Sequence, residues 1–318
     1  MSPLREDTRI AYYAGSWYSG DPEILRQQLS KWIEDAEAQE NTRTEGAKEQ
    51  QGPIRAIIGP HAGYMYSGST AAFGYCKLLQ MHSQIKRIFL FGPSHRKSFR
   101  GCMLPSVMVN AYDTPFGPIP LDSELISHLE SSFPEYFKRL SKSSELHEHS
   151  LEMHLPFIYY CTNRKAHPVM LIPIMVGSLP SSLSLKYGQI FAPYFDNADN
   201  FFVISSDFCH WGKSFDYTFY RSEDGQEIYK FIENLDRRSF EAIENQNDTE
   251  FRNYLDQTKN TICGRYPISI LLNTLKYAKN KYNVKFIQYK QSKKCMSNED
   301  TSVSYAVSLV SDCQSRQV

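Results

Sequence analysis

Four short, mainly apolar runs mark the first two thirds of the chain: residues 55–59, 86–91, 169–176 and 201–205, the first two opening on Arg55 and on Lys86 and Arg87. Continuous apolar runs bounded by Gly and Pro are the signature of strands buried on both faces of a parallel sheet. Helical periodicity separates them, over residues 69–80, 123–131, 151–160, 225–245 and 268–280. An earlier helix starts at its cap Asp21 and runs to about residue 38, with Leu25, Leu29 and Ile33 on one face. Alternating strands and helices predict an α/β fold: a single domain with a mostly parallel central sheet and helices on both faces. Residues 284–289 and 302–310 read as late strands. The second alternates at Val303, Tyr305, Val307 and Leu309, which suits an antiparallel or edge position. Residues 39–53 are polar and turn-rich and read as a flexible loop; residues 311–318 read as a frayed tail. No repeat or linker divides residues 1–318, so one domain is expected.

Composition narrows the function classes. Lys+Arg and Asp+Glu both number 35, so the formal net charge is zero. Nucleic acid and anionic membranes therefore lack their usual electrostatic attraction as partners. No run approaches a membrane-spanning length, and the first residues carry no apolar secretory segment, so no membrane insertion or export is expected. The seven cysteines are widely spaced with no CxxC pair. That pattern predicts reduced thiols and a cytoplasmic protein, with the nucleus as a second location.

The chemistry gathers behind the strands. His61 follows the first strand by two residues, and His95 follows the second by four. Asp207 and His210 follow the fourth by two and five. In open α/β sheets, ligands bind outside the carboxyl ends of the strands, so the topology collects these distant residues at one edge. A lone histidine after a strand is commonly just bonded to backbone; three in equivalent places, framed by Gly59, Pro60, Gly63, Gly92 and Pro93, point to a site. Cys263 lies just before a helix, with Arg265 two residues on. That setting predicts a lowered thiol pKa and a thiolate that is a metal ligand or a nucleophile; a buried inert cysteine is the plain alternative. The segment 145–156 holds Glu148, His149 and His154 among other ionisable groups, but not at the spacing of helical zinc ligands. Ser150 reads there as a helix cap, and the rest as surface or as support for metal-binding imidazoles.

Together AGSWY (14–18), PHAGYMYSG (60–68), GPSH (92–95), EHSLEMHLPF (148–157), SSDFCHWG (205–212), NTICGRYPI (260–268) and SVSYA (302–306) resemble the Memo family, similar to class III LigB-type extradiol dioxygenases. The resemblance implies that His61 and His95 are metal ligands. It places Cys263 where the dioxygenases have a glutamate, and makes His210 the acid/base group. Thiolate for carboxylate softens the site toward copper or zinc while leaving iron open, so ring-cleaving dioxygenase activity does not follow.

Three readings remain. The first is a copper- or iron-binding redox protein, with one ion per chain and superoxide as an oxidase product, acting in growth or motility signalling. In it Asp207 orients His210. The second is a signalling module that holds phosphotyrosine peptides in the same cleft, with Trp17, Tyr64 and Trp211 as aromatic walls. Ser94, Glu148, His149 and Arg265 complete the lining or back the ligands. The third is a zinc hydrolase on the same donors, with Asp207 or His210 activating water.

Overall fold

The computed structural model describes residues 7–44, 52–163, 168–220 and 226–313. In chain order the strands are β1 (Thr8–Arg9), β2 (Ile54–Gly59), β3 (Arg87–Pro93), β4 (Cys102–Leu104), β5 (Ala111–Tyr112), β6 (Ile119–Pro120), β7 (Phe137–Arg139), β8 (Met170–Val176), β9 (Asn200–Ser205), β10 (His210–Trp211), β11 (Tyr282–Gln291) and β12 (Ser302–Asp312). The helices are α1 (Pro22–Thr44), α2 (Tyr64–Met81), α3 (Ser123–Ser132), α4 (Lys142–Leu146), α5 (His149–Glu152), α6 (Leu155–Thr162), α7 (Ser181–Phe195), α8 (Ile228–Glu244), α9 (Asp248–Thr258) and α10 (Arg265–Tyr277).

The four apolar runs are β2, β3, β8 and β9, and they form the parallel centre of a nine-stranded sheet. Its order is β10-β12-β2-β9-β3-β8-β4-β7, with β11 also paired to β12. All six residues of β2 and of β9 are buried, as strands covered on both faces require. Helices flank the sheet. α2 packs on β2 and β12, while α10 packs on β3 and β9 and against α7. α8 buries Ile228, Ile232, Leu235 and Ile243, a spacing that keeps one helical stripe toward the core. A small three-stranded sheet, β1-β5-β6, sits beside the main one.

β12 is antiparallel to β2, as its alternation suggests, but it is not an edge: β11 runs along it on the other side.

Several boundaries differ from the sequence reading. Residues 39–44, read as loop, continue α1. Glu40 pairs with Lys77 of α2, and Thr42 Oγ1 donates to Gln39 O at 2.8 Å, so the last turns are held. Residues 45–51 of that loop lie outside the described residues. Ser311 and Asp312, read as frayed, belong to β12. Asp312 N–H donates to Pro53 O at 2.9 Å, and Ser311 pairs with Ile54. Cys313 N–H donates to Lys281 O at 2.8 Å, and residues 314–318 of that tail lie outside the described residues. The helix expected over 151–160 is two helices broken at Met153–His154, and the cap of the first is Glu148, not Ser150. The Glu148 side chain accepts from Ser150 N–H at 3.0 Å.

Candidate functional site

Because β2, β3 and β9 are parallel, their carboxyl ends open onto one edge, and the loops that follow carry His61, His95, Asp207 and His210. The Cys263 turn joins them just before α10. It comes so close to the end of β9 that a Cβ on Gly264 would lie 2.3 Å from Ser206 Cβ. Only glycine allows that approach, and Gly264 N–H uses it to donate to Ser206 Oγ at 3.1 Å.

Hydrogen bonds fix the imidazole tautomers. Ser205 Oγ donates its one proton to Ser150 O at 2.7 Å. It must therefore accept from His61 Nδ1, 2.6 Å away, leaving His61 Nε2 with a free lone pair. That Nε2 faces Cys263 Sγ at 3.3 Å. His95 Nδ1 donates to Glu148 Oε1 at 2.9 Å, and His95 N–H to Glu148 Oε2 at 2.6 Å, so its Nε2 is free as well. A carboxylate behind an imidazole is a recurrent support for metal-binding histidines. Donor atoms of His61, His95 and Cys263 all lie within 4.8 Å of one another. A tetrahedral ion with bonds of about 2.0–2.3 Å sets its donors about 3.3–3.7 Å apart, so the three residues fit one small transition ion after slight closure.

Electrostatics favours a neutral His61 here. Burial, then the neighbouring histidines, holds His61 well below the ordinary histidine value. Burial alone would raise Glu148, but the hydrogen bond from His95 and the other lowering contacts of its carboxylate outweigh it and bring Glu148 down to about 2. Cys263 departs from the sequence expectation. Burial, followed by Asp207, pushes its thiol up, and Arg265 and the helix start do not compensate. The Arg265 guanidinium is turned to the Ile262 carbonyl, 3.0 Å away.

Asp207 also departs from its expected place. Its Oδ1 accepts from His61 N–H at 2.9 Å, and its own N–H donates to Cys263 Sγ at 3.2 Å. It braces the ligand cluster rather than His210. His210 is oriented by backbone instead: its Nδ1 donates toward Phe208 O at 2.8 Å and Thr261 O at 3.1 Å, leaving Nε2 as the basic atom. Burial raises Asp207 to about 7, a range suited to proton exchange near neutral pH.

A cleft of about 700 Å³ reaches His95, His210 and Cys263. Arg96, Lys97, Arg265, Phe99, Phe215 and Tyr266 are among its walls, and among the described residues no carboxylate lines it. Ser94 lies in the wall and closes its turn by donating to Lys97 O at 2.7 Å. None of the three aromatic walls expected lines this cleft; Trp17 packs instead on the His149 ring, 4.7 Å away. Tyr64 is buried and donates to Met153 O, its ring packed on Tyr18 and Phe157. Trp211 is fully buried and donates to Phe219 O. Both are core residues because their polar atoms are satisfied by backbone inside the fold.

The sequence reading missed the clamp behind Glu148. All five N–H donors of the buried Arg9 are used: on the carbonyls of Ile10, Glu145, Leu146 and Glu148, and on Glu152 Oε2 at 2.7 Å. Glu152 also accepts from Tyr13 N–H and Tyr18 Oη, and Glu145 from Tyr112 Oη and Ser106 N–H. The crowded carboxylates of this segment are therefore internal fasteners. Arg9 stands 143 residues from Glu152, so no local spacing announces the pair.

The family model described as Memo-like protein matches residues 9–309. Protein memo-1 homolog of Caenorhabditis elegans is 39% identical over 96% of this chain and 83% of its own. Protein MEMO1 of Xenopus laevis is 40% identical over 95% and 97%, and that of Homo sapiens 40% identical over 94% and 95%. A solved structure of an uncharacterized Escherichia coli K12 protein covers 79% of this chain and 99% of its own, at 12% identity and a TM-score of 0.49. With the family pattern spanning nearly the whole chain, the protein belongs to the Memo family.

Proposed function

We propose that this protein binds one copper or iron ion through His61, His95 and Cys263 and works as a redox protein. The observation that carries the reading is the convergence of two imidazole Nε2 atoms, each freed by a hydrogen bond on its Nδ1, with one sulfur. A bound copper or iron ion would supply one-electron chemistry, with dioxygen as acceptor and superoxide as product. The chain's own residues do the rest. Cys263 gives up its thiol proton on ligation, and Asp207, 3.9 Å from His61 Nε2 and bonded to the cluster by its N–H, lies beside the route that proton takes. His210 presents Nε2 as a proton acceptor near the cleft. The cationic walls draw anions toward the site.

Metal-loaded protein is expected to cycle between ascorbate and oxygen with superoxide released, and Cys263→Ser to abolish the cycling. Normal cycling in that variant would remove the key ligand and the reading with it. Zinc-dependent ester or amide cleavage without a redox response would instead favour the hydrolase.

A second reading has its own support. The cleft carries Arg96, Lys97 and Arg265 beside aromatic Phe99, Phe215 and Tyr266, a lining suited to a phosphotyrosine side chain. In that reading the protein is a cytoplasmic and nuclear signalling module for growth or motility. Its mark is phosphopeptide binding that survives chelation.

A further inference from the structure

Glu148 and His149 bring a second donor set to the same corner. Donor atoms of His95, Glu148 and His149 also lie within 4.8 Å of one another. Glu148 Oε1 stands 2.9 Å from His95 Nδ1 and 3.6 Å from His149 Nδ1. Neighbouring donors on an ion with bonds of about 2.1 Å are separated by about 3.0–3.5 Å, so these distances bracket what an ion needs. His149 Nδ1 is enclosed and has no hydrogen-bond partner among the described residues. An enclosed polar atom left unpaired is costly, and a ligand on that nitrogen removes the cost. The ring is held in place by His95, stacked at 4.4 Å, and by Trp17. The two sets are buried to a similar degree: the Glu148 and His149 side chains are 1% and 14% exposed, against 3% for His61, and His95, 29% exposed, belongs to both.

We propose that His95, Glu148 and His149 form a second site, the outer site, for a divalent transition-metal ion, from which the ion passes to His61, His95 and Cys263 across the shared His95. The outer site stands on its own donors; the transfer from it rests on the inner triad proposed above. His95 belongs to both sets but serves one at a time. With its proton on Nδ1, held by Glu148, Nε2 faces the triad. When Nδ1 takes an ion, that proton moves to Nε2 and the triad loses a donor. Two imidazoles and a carboxylate suit harder divalent ions, while two imidazoles and a thiolate suit softer ones, so the sulfur provides the inward pull.

Cobaltous ion alone is the probe, since a sulfur-to-cobalt charge-transfer band reports the inner set and ligand-field bands report either. After rapid mixing with the wild-type protein, ligand-field bands are expected before the charge-transfer band. A His61→Ala/Cys263→Ala variant is expected to keep about one equivalent with no charge-transfer band. Adding His149→Ala should weaken that binding by about tenfold or more. Bands that rise together in the wild type, or a double variant indifferent to His149→Ala, would overturn the proposal. The order in which the wild-type bands rise is decisive whether or not the variants fold. A charge-transfer band with no outer-site signal leaves the triad standing and sinks the outer site. Ligand-field bands lost on His149→Ala, with no charge-transfer band in the wild type, do the reverse.

Discussion

Glu148 holds His95 twice, accepting from its backbone N–H at 2.6 Å and from its ring Nδ1 at 2.9 Å. One buried carboxylate thereby sets both where the β3 loop ends and which way the imidazole faces. The contact is possible because α5 presses close on β3: a Cβ on Gly92 would lie 2.6 Å from Ser150 Oγ.

Replacing Glu148 with Gln leaves the shape nearly unchanged but turns one of the two acceptors into a donor. Metal affinity is expected to fall by about 10–100-fold, the usual effect of losing such a support. Competition titration against a chelator of known affinity measures it. An unchanged affinity would mean that His95 needs no orienting carboxylate.

Arg9 is the keystone of the segment that carries Glu148. Arg9→Met strips the charge from the buried ion pair and leaves Glu152 buried and unpaired. A loss of about 3–5 kcal/mol is expected, read from urea unfolding followed by far-UV circular dichroism. A loss under about 1 kcal/mol, the range of an exposed pair, would show that the clamp is dispensable.

Much of this arrangement was legible in the sequence. The four buried strands stood out because their apolar runs are nearly continuous, and the sheet rule then placed His61, His95 and His210 at one edge. What escaped had physical reasons. α7 carries Pro193 inside it, which argues against a helix, and α9 buries only Phe251, Tyr254 and Thr258, a stripe too short to stand out in a polar stretch. β4, β5, β6, β7 and β10 are two or three residues long and exist only through their partners. Tyr64 and Trp211 looked like walls because aromatic residues beside a site give no sign of facing it or the core. The Cys263 thiol was misjudged because a favourable neighbour, Arg265, is visible in sequence while burial is not.

The raised Cys263 thiol has a consequence for pH. The folded protein keeps the proton at neutral pH, and ligation of the sulfur must release it. Apparent affinity is therefore expected to rise about tenfold per pH unit across the neutral range, one proton leaving per ion bound. Titrations buffered between about pH 6 and 8 test this, with the slope expected to vanish in Cys263→Ala. A flat profile in the wild type would mean that the sulfur does not ligate.

Gly264→Ala forces a methyl group against Ser206 and the carbonyl of Ser205. The turn must retreat and carry Cys263 with it. A loss of about 1–3 kcal/mol of stability is expected, the usual cost of overpacking, together with weaker metal binding. Thermal melting and metal titration on the same sample separate the two effects. Retention of both would show that the turn has slack.

The most direct measurement is the metal content of protein purified without added metal, wild type beside His61→Ala and Cys263→Ser, by inductively coupled plasma mass spectrometry. Close to one copper or iron per chain in the wild type, falling sharply in both variants, is the expected result. A wild type free of metal, or variants that keep the same metal at the same level, would contradict the assignment of His61, His95 and Cys263 as its ligands.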